Sequence, residues 1–188
     1  MSIKIYITNL GKYNEGCLIG QWVKLPVSKD KLKDVLDEIG INDEYEEYFI
    51  TDSETSLSGM KYVITEFADI VALNELAELI DELSEEDNEK LNAVLECDYF
   101  NSIEDVKKII SELDNFELLP EIIDTDQLGY YFAEEIGCLN IPEELKRYFD
   151  YDKYGNDIRL EGSGIFTSLG YLIDYRWFSK THRLNDDT

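Results

Sequence analysis

Acid in this chain is gathered into one long stretch. Residues 34–161 hold 37 Asp and Glu against 8 Lys and Arg, a formal charge of −29, while residues 1–33 carry +4 and the last 27 are balanced. A fold built on that stretch has to keep its carboxylates at solvated edges, because an unpaired buried charge is too costly to hold. The chain is also 44% hydrophobic and 12% aromatic, so it lacks the low hydrophobicity that leaves acidic chains disordered. It reads as a folded body coated in acid. A net charge of −25 argues against nucleic acid as a ligand, since phosphate is repelled from nearly all of it. Basic partners are favoured instead, among them proteins that themselves hold nucleic acid.

The 188 residues suffice for one domain or for two or three small ones. With no signal-peptide core and no apolar run near about 18 residues, neither secretion nor membrane insertion is expected, and a cytoplasmic location is. Cys17, Cys97 and Cys138 are odd in number and lack CxxC spacing. They are expected as free, buried thiols in a reducing compartment.

Residues 3–7 alternate and are β-branched, which predicts a strand. Turn signals follow at 9–12 and 14–16, then a second strand over 17–25 stopped by Pro26. Ser28 is placed to cap a helix carrying Leu32, Val35, Leu36 and Ile39 and ending at Gly40. Residues 48–51 predict a third strand. A helical block opens near Thr65, with Leu73, Leu76, Ala77, Ile80 and Leu83 as one stripe. Capping boxes at 84–87 and 102–105 open two further helices. Past Pro120, residues 125–137 predict a helix with Leu128, Tyr131, Phe132 and Ile136 on one face, and Pro142 opens another reaching about Phe149. Short strands are expected over 157–161, 165–167 and 171–177. The fold class is α+β in three small domains. These are 1–61, a small antiparallel sheet plus helix; 62–103, helical; and 104–188, α+β.

The acid forms faces. Glu75, Glu78 and Glu82 fall at i, i+3 and i+7, a row opposite the apolar stripe, with Asp81 beside it. Glu85, Glu86, Asp87 and Glu89 extend the display along the next helix. Candidate partner-binding carboxylates before this block are Asp34, Asp37, Glu38, Asp43, Glu46 and Glu47. After it come Glu104, Asp105, Glu112, Asp114, Glu117, Glu121, Asp124 and Asp126. Duplex DNA presents one charge per about 1.7 Å of axis, and one carboxylate per helical turn gives one per about 5.4 Å. About three such rows side by side therefore match the duplex. A merely solubilising coat needs a net charge of only about −8, and excess beyond that costs stability through self-repulsion.

Other constellations carry less. Residues 150–161 approach an EF-hand loop, with Asp150, Asp152, Gly155 and Glu161 at positions 1, 3, 6 and 12. Tyr154 at position 5 is a poor calcium ligand, and a tight turn entering a strand is the expected conformation. His182 is the single histidine, so histidine-based triads and metal sites are hard to build. Gly162-Ser163-Gly164 is too short to cradle phosphate in an acidic setting. Carboxylate pairs are so abundant that none singles out a glycosidase-like acid and base. No enzyme and no cofactor are expected. The thirteen tyrosines, Tyr130, Tyr131, Tyr148, Tyr151 and Tyr154 among them, suit either an interface or a core whose hydroxyls reach the surface.

The stretch from Ile5-Tyr-Ile through Tyr13-Asn14-Glu-Gly16-Cys-Leu18-Ile-Gly20-Gln-Trp22 resembles the opening of the ArdA-type antirestriction proteins. Leu128-Gly129-Tyr130-Tyr131-Phe132-Ala-Glu134-Glu135 is similar to that family's antirestriction motif. Residues 148–157 and 160–162 resemble its C-terminal region. The resemblance implies an elongated protein of three small domains along a curve, carried by mobile elements such as conjugative plasmids or transposons. It implies a mimic of B-form DNA that occupies the groove of type I restriction–modification enzymes, formed by their DNA-recognition and methyltransferase subunits. Restriction, and often modification, is blocked. A homodimer through the C-terminal part is also implied. Two chains would carry −58 on their central stretches, the charge of about 100 Å of duplex. For residues 128–135 two roles stay open, a dimer-forming face or a core helix. The alternative function is an acidic module for another basic DNA-binding protein, with calcium binding at 150–161 behind it.

Overall fold

Alternation in the first strand sends Ile3, Ile5 and Ile7 to one face, and all three are buried. In this computed structural model, which describes residues 2–97, 100–162 and 164–176, that strand is the centre of an antiparallel sheet. The sheet has the order β2-β1-β3, from β1 (Ile3–Asn9), β2 (Gly20–Leu25) and β3 (Tyr48–Thr55). Of the described residues, 2–88 and 100–110 form one compact unit; 89–97, 111–162 and 164–176 form a second. Ser163, Trp177 and His182 lie outside the described residues.

In the first unit, the turn expected at 9–12 is instead a short helix, α1 (Leu10–Asn14). The cause is Asn9, whose Oδ1 accepts from the Lys12 backbone N–H at 2.9 Å. Its Nδ2 donates to the carbonyls of Ile39 and Gly40, each at 3.1 Å. One buried amide thus caps α1 and fastens the end of α2 (Lys29–Glu38) to the sheet. Ser28 caps α2 as expected, accepting from the Lys31 N–H. The second strand begins at Gly20 rather than Cys17, and the third runs on to Thr55. The helical block begins at Ile70 rather than near Thr65, because Asp69 accepts from the Val71 and Ala72 N–H groups. α3 (Ile70–Glu82) buries Ile70, Leu73, Leu76, Ala77 and Ile80. α5 (Ile103–Ser111) buries Val106 and Ile109. Between them α4 (Glu85–Cys97) contributes its first turn to this unit and the rest to the second, where Leu91, Ala93, Val94 and Leu95 are buried.

The second unit holds the sheet β4-β6-β5, from β4 (Phe116–Leu119), β5 (Gly164–Thr167) and β6 (Gly170–Asp174). Ile122, Leu128, Ile158, Tyr171 and Ile173 form its core. The strand expected over 157–161 is overturned: those residues end α8 (Tyr151–Glu161), which Asp150 caps through the Lys153 N–H. The EF-like residues Asp150, Asp152, Gly155 and Glu161 thus lie along a helix and not around a loop. Among the described residues no group of three His, Cys, Asp or Glu is placed to hold a metal ion. Gly155 has another use. A Cβ there would overlap the Thr125 carbonyl, and one on Gly129 would overlap the Tyr151 carbonyl. This glycine pair lets α6 (Thr125–Tyr130) and α8 cross backbone against backbone.

After α6 the chain widens into a π-helical turn, Tyr131–Glu135. The wider turn breaks the 3.6 periodicity, so Ile136 leaves the expected face and is 54% exposed. The helix expected from Pro142 to Phe149 shrinks to α7 (Glu143–Lys146). β4 was not expected at all, and β6 ends at Asp174. The three cysteines are exposed rather than buried, each sitting where an element ends or a loop begins. No helix among the described residues is long and apolar enough to cross a membrane.

Candidate functional site

Helical periodicity separates acid from core on α3. Glu75, Glu78, Asp81 and Glu82 are all exposed, opposite the buried stripe. Glu85, Glu86 and Glu89 are exposed on α4, and residues 62–89 contain ten acids and no base. Asp34, Asp37, Glu38, Asp43, Glu46, Glu47, Glu104, Asp114, Glu121, Asp124 and Asp126 are exposed as well. Asp87, Asp105, Glu112 and Glu117 are only half-exposed, and each is engaged within the fold.

Those engagements have local causes. Asp87 and Asp105 each accept from the serine that opens their helix, Ser84 at 2.9 Å and Ser102 at 2.8 Å. The Ser102 hydroxyl and the Asn101 N–H hold the Asp105 carboxyl below its ordinary pKa. Glu112 lies 3.6 Å from the Arg176 guanidinium, and Glu117 accepts from the Tyr175 hydroxyl. Among the exposed carboxylates, Glu75 and Glu104 share Lys107 at 2.8 and 3.0 Å. The hydrogen bond to Glu75 is the largest reason that the Lys107 pKa is raised. Asp124 caps α6 through the Gln127 N–H at 2.8 Å. Glu78 accepts from Asn74 at 2.9 Å, and Asn74 in turn accepts from the Val27 N–H.

The motif at 128–135 divides by exposure. Leu128 and Gly129 are buried, while Tyr131 and Phe132 pack against the second unit's core with their rings edge to face at 5.5 Å. Burial is the main reason that the Tyr131 hydroxyl titrates above its ordinary value. Tyr130, 49% exposed, and Glu135 face solvent. They border a groove of about 530 Å³ with Glu121, Asp126, Ile122 and Tyr131. Glu134 is internal: Lys146 reaches it at 2.8 Å and the Tyr151 hydroxyl at 2.6 Å. These two donors, Lys146 first, hold its carboxyl below the usual range, and the same contact pushes Tyr151 up to about 12.

Lys146, Tyr151 and Gly155 therefore fix the motif, and sequence reasoning gave none of them that role. Lys146 and Tyr151 lie 12 and 17 residues beyond Glu134, and Gly155 lies 26 beyond Gly129, too far along the chain for any helical or strand period to link them. Only the Lys146–Glu143 pair at i, i+3 was visible locally.

What the arrangement offers a partner is a carboxylate surface with an aromatic-edged groove. It presents no metal cluster among the described residues. A search among curated proteins finds no match. A comparison with protein families matches residues 5–173 to one described as antirestriction protein (ArdA). The matched segment takes in all but the first two residues of the first sheet, the acidic helices and the motif alike, and the chain belongs to the ArdA family of antirestriction proteins.

Proposed function

We propose that this antirestriction protein works as an acidic mimic of B-form DNA. It occupies the DNA-binding groove of type I restriction–modification enzymes and so blocks restriction, and modification with it. The observation that carries this reading is the base-free run at 62–89, displayed on the exposed faces of α3 and α4. Carboxylates in rows, with no base within the run and Lys107 paired at Glu75, reproduce the charge that a duplex offers every basic groove. The contacts are ionic and spread over many residues, so binding weakens as salt rises.

The test is endonuclease activity of a purified type I enzyme on unmodified DNA, titrated with this protein at two salt concentrations. Inhibition near stoichiometry, relieved by salt or added duplex, is the expected result. Absence of inhibition by a folded sample would sink the reading and leave another basic DNA-binding protein as the target, to be sought by pull-down.

A three-domain, elongated homodimer joined through 128–135 is part of the proposal. Tyr130 and Ile136 supply exposed apolar surface to it. Glu121, Asp126 and Glu135 border the same surface, so salt should strengthen self-association while it weakens enzyme binding. Sedimentation of wild type and Tyr130→Ala across a salt series checks this. Tyr131→Ala or Phe132→Ala giving a folded monomer would also favour the dimer role, whereas their unfolding would favour the core role.

A further inference from the structure

The sequence pattern that marks the N-terminal stretch is aromatic and glycine-rich, and charge mimicry leaves it unexplained. In the fold its members converge. Antiparallel register places Trp22 and Asp52 on either side of Tyr6, and Gly20 and Phe49 on either side of Thr8. These residues point away from the buried face of Ile3, Ile5 and Ile7. All of them but Gly20, together with Tyr13, Leu18, Thr51 and Glu66, line a groove of about 500 Å³ on the opposite face of the first sheet.

The groove is built in detail. Tyr6 and Trp22 meet edge to face with centroids 5.4 Å apart, and Tyr13 meets Phe49 at 5.2 Å. The Thr8 and Thr51 hydroxyls are 2.7 Å apart within its lining. Gly20 is required: a Cβ there would lie 2.5 Å from the Tyr6 ring and 2.7 Å from the Ile7 carbonyl. Leu18 is 79% exposed, Tyr13 46% and Trp22 42%. The exposed parts of these three side chains meet at one concave site in which Thr8 and Phe49 are buried. Its charged lining residues, Asp52 and Glu66, are both acidic. In the adjoining row of the sheet, Lys4 is neutralised by Glu54 at 3.0 Å and Lys24 stands opposite Lys4.

We propose that this groove receives an arginine side chain of a basic partner protein, its guanidinium against the Trp22 and Tyr6 rings and paired with Asp52 or Glu66. A planar, weakly hydrated cation suits aromatic walls with an acidic rim, and arginine meets both better than lysine does. A nucleobase would bring its phosphate into a strongly anionic chain. The choice of a basic partner agrees with the mimic reading, but the site stands on its own geometry. A strip of duplex needs only charge, whereas this groove adds a shaped contact at one point.

The test is an NMR titration of the full chain with a blocked Gly-Arg-Gly peptide and its Gly-Lys-Gly counterpart. Shifts concentrated at the Trp22 indole N–H and at Tyr6, Thr51 and Asp52, weaker with the lysine peptide, are expected. Asp52→Asn and Glu66→Gln, both surface changes that spare the aromatic core, should each weaken binding by about fivefold, in line with an exposed ion pair. Trp22→Phe should bind more weakly while staying folded. Equal response to both peptides, shifts scattered over all acidic faces, or indifference to Asp52→Asn and Glu66→Gln would overturn the proposal. This readout uses no restriction enzyme, so its failure is separate from failure of the mimic. Endonuclease inhibition with no arginine response would keep the mimic and remove the groove. Peptide binding without inhibition would do the reverse.

Discussion

The two compact units spend their acid differently. On α3 of the first, Asp81 and Glu82 stand out from the helix, Glu78 holds only its helix neighbour Asn74, and of this row Glu75 alone ties to another element, through Lys107 on α5; the residues that α3 buries are all aliphatic. In the second, carboxylates tie elements together. Glu96 accepts from the Ser168 N–H at 2.8 Å, Asp152 from Thr125, Glu117 from Tyr175, and Glu134 from both Lys146 and Tyr151. Residue type alone therefore does not assign an acid its job. What decides is whether the fold brings a donor within reach. One population is available to a partner, and the other holds up the structure around residues 128–135.

The strongest way to break the comparison is to attack the frame of the second unit. Gly155→Ala inserts a Cβ where the Thr125 carbonyl already lies. Overpacking costs about 1–3 kcal/mol even when side chains can yield, and here the obstacle is backbone. A loss of at least about 3 kcal/mol in urea unfolding is expected. Unchanged stability would mean that α6 and α8 do not cross as closely as described.

Next comes the displayed acid. Changing Glu78, Asp81, Glu82, Glu85 and Glu86 together to amides should leave the fold intact, or firmer through reduced self-repulsion. Binding to a type I enzyme should weaken by about 10- to 100-fold, at several tenths of a kcal/mol per exposed pair. Each change alone should cost about twofold. One single change that abolishes inhibition would contradict a distributed mimic.

The sequence revealed the first unit more fully than the second, for a physical reason. Ile3-Lys-Ile-Tyr-Ile7 and the stripe from Leu73 to Ile80 obey one period each, and burial follows that period. The second unit departs from periodicity where it matters. The π-helical turn at Tyr131–Glu135 shifts Ile136 off its face, and β4 is a four-residue strand paired with distant β6. Residues 150–161 carry ligand-like spacing, but Asp150 caps α8 and Gly155 serves a helix crossing. The displayed carboxylates were legible because solvation is their default. Glu134, Glu112 and Glu117 were not, because their donors come from elsewhere in the chain.

The smallest expected effect sharpens the comparison most, because it sets adjacent residues against each other. Glu134 is tied to Lys146 and Tyr151, whereas Glu135 is exposed at the groove. The Glu134 carboxyl is held below its ordinary value of 4.5 by those two donors. A depressed folded pKa contributes stability that is complete above that ordinary value and drains away as pH falls through the folded one. Acid also relieves repulsion across the whole surface, which acts in the opposite direction and would mask the loss in wild type alone. Comparing Glu134→Gln with Glu135→Gln removes that common background, since each deletes one charge. Thermal midpoints should therefore separate near neutrality, with Glu134→Gln the lower, and converge as pH falls past the ordinary carboxylate value and through the folded one, where the tie is protonated in the Glu135 variant. Parallel curves across the whole range would show that the tie to Lys146 and Tyr151 does not stabilise the fold, and that Glu134 belongs with the displayed acids after all.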